Sequence, residues 1–147
     1  MSALAAAFRR DLLAPRLWLG GWVFACAEIA SGSALRTGLL DPFHWLVTGW
    51  LYFAHFFLLT TLAVRSGRTS LSALYLFGVL FGLYEAWITK VIWAGYGGDG
   101  RYAMGHLGAF GYAELAMPLL FHPVMAFLAP LALACRAWPA FGADFPE

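Results

Sequence analysis

Residues 71–90 read LSALYLFGVLFGLYEAWITK. Only Glu85 interrupts this apolar run before Lys90 closes it, and its length is about the 20 residues a helix needs to cross the bilayer hydrocarbon. Three further stretches repeat the arrangement. The expected spans cover residues 17–35, 43–64, 71–94 and 110–135, each with one ionisable side chain near its middle: Glu28, His55, Glu85 and His122. A charge at the bilayer centre costs roughly 2.5–3.5 kcal/mol on insertion scales. Four such groups are tolerable when they meet one another, an ion or a cofactor.

Composition agrees with this reading. Of 147 residues, 62% are apolar and 12% charged, and the mean hydropathy of +0.72 lies far from that of a soluble domain. Four spans leave only short loops. The expected fold is an all-α integral membrane protein, with four transmembrane helices in a bundle forming a single membrane domain over residues 1–147.

Ahead of the first span, Leu4, Phe8 and Leu12 recur every four residues beside Arg9, Arg10 and Asp11. That pattern predicts an N-terminal amphipathic surface helix over residues 2–14. Arg9, Arg10 and Arg16, with the small residues Ser31–Ala34, also suit a signal peptide. Glu28 inside the apolar run favours a retained helix. Threading four helices puts Arg9, Arg10, Arg16, Arg65, Arg68 and Arg136 on one side, and Arg36 and Arg101 on the other. The excess predicts both termini in the cytoplasm, and a prokaryotic inner membrane is the expected location. A net charge of +1 carries no expectation of nucleic-acid binding. Cys26 and Cys135 form no CxxC pair and imply no disulfide framework.

Helical spacing predicts which faces pack. Gly21, Ala25, Glu28 and Gly32 share one face of the first helix, and Gly78, Gly82, Glu85 and Thr89 share one face of the third. Small residues let membrane helices approach closely, so both glutamates are expected on packing stripes. In the second helix His44, Thr48, Tyr52 and His55 form a polar stripe among aromatics. In the fourth, Pro118, Pro123 and Pro130 remove backbone donors and free the carbonyls of Glu114, Leu119 and Ala126. Neighbouring groups must satisfy these carbonyls within a membrane. Between the third and fourth helices, a glycine-rich outer loop is expected over residues 95–111.

A rise of about 1.5 Å per residue arranges the ionisable groups in two tiers. Glu28, His55, Glu85 and His122 fall near the midplane. His44, Lys90, Glu114 and His106 fall nearer the outer surface. Three chemistries fit the midplane set. A metal ion suits imidazole and carboxylate, although no Glu-x-x-His or HExxH motif is present. Haem b would use His55 and His122 as axial ligands. Proton handling would use Glu85 and Glu28, with the outer tier as the mouth.

The reading that needs no cofactor is preferred. It describes a small membrane protein with a buried Glu/His site open toward the outer side. The expected role is that of an accessory subunit in proton-linked or redox chemistry of a larger complex, rather than a stand-alone enzyme. Its expected partners are the lipid bilayer and other protein chains or further copies of itself. The alternatives are a structural or assembly subunit, a haem- or metal-binding membrane protein, and a small proton-coupled transporter.

Overall fold

The computed structural model describes residues 13–29, 42, 44–89, 104–108, 110–143 and 145. The described residues form four long helical segments. Helix α1 runs over Leu13–Phe24 and continues as a wider π turn over Ala25–Ile29. Helix α2 begins in π form over His44–Gly49 and continues over Trp50–Arg65. Helix α3 spans Leu71–Thr89. Helix α4 comprises Tyr112–Ala116, a π stretch over Met117–Leu128, and Ala129–Ala137. A short helix α5, Pro139–Gly142, follows.

Three of these are long and apolar enough to cross a membrane: Trp45–Arg65, Leu71–Ile88 and Tyr112–Ala137. In the first helix the described apolar stretch is Leu17–Glu28, which is shorter. Residues 30–35, the rest of that expected span, lie outside the described residues. Of the expected surface helix, residues 2–12 also lie outside them, while Leu13 and Ala14 open α1.

The core is aromatic where the four helices meet. Val23, Phe24, Phe81, Ala126 and Phe127 are essentially inaccessible, and Tyr52 and Phe56 are nearly so. Phe24 packs edge-on against Tyr52, Tyr52 against Phe81, Phe81 against Phe127, and Phe127 against Phe56. Large side chains such as Trp18, Leu46, Leu58, Leu76, Trp87 and Leu120 point outward, as lipid-facing positions do.

The α3–α4 seam follows the predicted stripe. A Cβ on Gly78 would stand 2.6 Å from Pro123 Cα, and one on Gly82 would stand 2.7 Å from Pro118 Cα and 2.8 Å from His122 Cβ. Backbone lies against backbone there, which only glycine permits. The hydroxyl of Tyr75 donates at 2.7 Å to the carbonyl of Leu119, four residues before Pro123. A neighbouring helix thus supplies this carbonyl with a donor.

The α1 stripe corrects the expectation. Gly21 is exposed and meets nothing, whereas Gly20 is buried directly against Phe53. The buried positions are Leu19, Gly20, Val23, Phe24, Ala27 and Glu28, a strict four-residue spacing. In an unbroken α-helix such a spacing drifts around the axis. The π turn at Ala25–Ile29 admits one extra residue and brings Glu28 into line with Gly20 and Phe24.

Part of the expected outer loop is ordered as a small hairpin. Strand β1 (His106–Leu107) pairs antiparallel with β2 (Phe110–Gly111), His106 opposite Gly111 and Leu107 opposite Phe110. Gly105 and Gly108 have φ of +82° and +59°, conformations that glycine adopts without strain. Residues 95–103 of that loop lie outside the described residues.

Candidate functional site

Each of the four long helices contributes one polar side chain to a single buried cluster. Glu28 sits in the π turn Ala25–Ile29 and is 8% exposed. Tyr52 lies on the inner face of α2 at 3% exposure. Its hydroxyl donates to Glu28 Oε1 at 2.8 Å and lies 3.5 Å from Glu85 Oε1. The other carboxylate oxygen of Glu85, Oε2, stands 3.5 Å from His122 Nε2. The order across the bundle is Glu28, Tyr52, Glu85, His122.

Local structure explains how the ends of this chain are placed. His122 lies in the π stretch of α4, directly before Pro123 and under Gly82, so its ring reaches α3 without a long crossing distance. Its Nδ1 is buried without a well-formed hydrogen bond. Phe81 and Phe121 flank the ring at centroid distances of 6.3 and 5.8 Å. Both π segments that hold cluster residues widen the helix where an ionisable group turns inward. Such distortions recur at functional sites.

Three of the four expected midplane residues, Glu28, Glu85 and His122, are therefore brought together. The fourth is not. His55 lies at the flank of α2, because three residues beyond Tyr52 turn the helix about 300°, leaving it about 60° off the buried face. Phe56, four residues beyond Tyr52, takes the inner position instead. His55 Nδ1 donates to its own Leu51 carbonyl at 2.7 Å, and its ring packs on Tyr84 at 4.5 Å. No hydrogen bond or ring contact links His55 to the cluster or to His122 among the described residues. Nor does any group of three or more His, Cys, Asp or Glu side chains there have the arrangement of a metal site.

Of the expected outer tier, the side chains of Glu114 and His106 are among the described residues. Glu114 is fully buried in the first turn of α4. His106 is exposed on the hairpin, where Nδ1 donates to the Gly108 carbonyl at 3.1 Å. The side chain of His44 and all of Lys90 lie outside the described residues.

Tyr52 is the member that sequence reasoning did not single out. It stands on the polar stripe of α2, but a tyrosine among so many aromatics reads as core. The signal lay in its hydroxyl, which seeks a partner when the ring is buried.

Comparison with known proteins gives a family and no activity. Residues 17–147 match the model of an uncharacterized membrane protein family. A protein of Archaeoglobus fulgidus, recorded as an uncharacterized protein, is 35% identical over 108 residues, which cover 74% of this chain and 33% of that protein. The chain thus spans about one third of the length of that curated relative. No solved structure matches. The chain belongs to this membrane protein family, which agrees with its apolar helices.

Proposed function

We propose that this member of the membrane protein family handles protons for a larger membrane assembly, holding one within the bilayer and passing it along Glu28, Tyr52, Glu85 and His122. The observation that carries the reading is the tyrosine hydroxyl set between two buried carboxyl groups, at 2.8 and 3.5 Å. A phenol has one proton to donate and lone pairs to accept with. Tyr52 donates to Glu28 while accepting from a protonated Glu85. If Glu85 gives its proton to Tyr52 as Tyr52 gives its own to Glu28, one proton has crossed between α3 and α1 and the phenol is restored. His122, against the far oxygen of Glu85, supplies or receives the proton at the other end.

Electrostatics favours a resident proton. Two carboxylates around one phenol repel strongly where the dielectric is low, and a proton on Glu85 or His122 relieves that repulsion. In such a role a partner supplies the driving reaction.

The test is infrared titration of the protein in lipid, across neutrality. A protonated-carboxyl band is expected at neutral pH, lost in Glu85→Gln while the helical circular dichroism is retained. In Tyr52→Phe the two glutamates should titrate independently. Two fully ionised carboxylates at neutral pH, or a Tyr52→Phe titration identical to wild type, would overturn the reading.

A second reading is a purely structural clasp. It is favoured by the same cluster drawing one member from each helix. Under it, the isosteric Glu85→Gln leaves the pH dependence of any host complex unchanged.

A further inference from the structure

We infer that the outward face shared by α2 and α3 is a two-fold interface with a second copy of this chain, closed by Tyr84 of each subunit donating to His55 Nε2 of the other. His55 is the central residue of the span Trp45–Arg65, so it lies near the bilayer midplane. Its Nδ1 bonds to a carbonyl, which only accepts, so Nδ1 carries the hydrogen and Nε2 is left as a bare acceptor. Tyr84 packs its ring on that imidazole and is half exposed. Neither His55 Nε2 nor the Tyr84 hydroxyl makes a hydrogen bond among the described residues.

The surrounding surface is apolar. Leu58 and Leu62 on α2, with Leu80 and Trp87 on α3, are all exposed on this side. By themselves they are ordinary lipid-facing residues and identify nothing. The polar pair decides, because acyl chains neither donate nor accept, and a polar group left open in hydrocarbon is costly. Something with hydrogen-bonding groups must cover it.

Donor–acceptor complementarity selects the occupant. One open acceptor and one open donor stand side by side on the same face. Within the subunit the two rings pack tilted at 46° with centroids 4.5 Å apart, and no hydrogen bond joins them among the described residues. A two-fold axis through this face matches each donor with the other subunit's acceptor, the self-complementary pattern of an isologous dimer. No feature of a different partner chain is needed.

The test is the dimer fraction of the full chain in lipid vesicles, read by single-molecule photobleaching over a range of protein-to-lipid ratios. Wild type should dimerise. Tyr84→Phe removes only an oxygen, keeps the ring, and should weaken dimerisation about sevenfold, from two symmetric interhelical bonds of ordinary strength. His55→Phe should do the same, and the double variant should be no weaker than either single one, since each removes the same bonds. Wild type that stays monomeric at every ratio overturns the inference, as does a dimer indifferent to Tyr84→Phe. A chain that is monomeric alone and cross-links in cells only to a different protein also overturns it.

Discussion

The two seams of this bundle solve the same packing problem in opposite ways. Along α3–α4, Gly78 and Gly82 bring backbone against backbone, and no side chain larger than a hydrogen fits between. Along α1–α2, Gly20 lies against the Phe53 side chain, and aromatic rings line the seam beside it. There Phe24, Trp45, Trp50 and Phe53 hold the helices apart and leave an apolar groove of about 150 Å³. A larger one of about 490 Å³ lies beyond Trp18 and Trp22. Close approach places short, ionisable side chains within reach of each other, as Glu85 and His122 show. A wide seam needs a long, rigid side chain to cross it, and Tyr52 is that side chain.

The strongest way to break this contrast is to add one methyl group to each seam's small residues. Gly82→Ala should cost about 3 kcal/mol, because its Cβ meets backbone atoms that cannot swing aside. Unfolding in mixed micelles measures it. Equal stability of wild type and Gly82→Ala would show that the seam is looser than its geometry implies.

Tyr52→Phe should cost about 2 kcal/mol, as Glu28 stays buried after losing the Tyr52 hydroxyl. The same unfolding assay reads the loss, and Glu28→Gln in that background should recover part of it. A smaller effect, about 1 kcal/mol, is expected for Tyr75→Phe, which strips the Leu119 carbonyl of its hydroxyl donor. Faster amide exchange confined to the middle of α4 would localise the change. The smallest is Gly21→Ala, where nothing stands within reach of the new carbon. It should alter stability by no more than about 0.5 kcal/mol. If Gly21→Ala proves as damaging as Gly82→Ala, Gly21 is packed rather than exposed and the register of α1 is not as described.

Much of this was legible from spacing. Gly78, Gly82 and Glu85 were expected on one packing face, and that face is the α3–α4 seam. The freed carbonyl of Leu119 was expected to need an outside donor, and Tyr75 provides it. Other parts were misplaced by a residue or a turn. Gly21 was expected inside and Gly20 is there, because a π turn resets the register of α1. His55 was grouped with His122, and instead it faces Tyr84. The imidazole that stands beside Glu85 is that of His122.

Sequence alone determined the solvent this chain lives in and which residues could not face it. Hydrophobicity is a sum over residues, and an ionisable group at the middle of a span is costly whatever its neighbours are. Tertiary structure decided which of those residues meet. A side-chain hydrogen bond is lost beyond about 3.5 Å, and that distance depends on the depth at which one helix sits against another. Depth here is set by the glycine–proline contacts of α3 and α4 and by the π turns of α1 and α4. None of these is a property of a single helix read by its periodicity, and together they put a tyrosine hydroxyl between two glutamates.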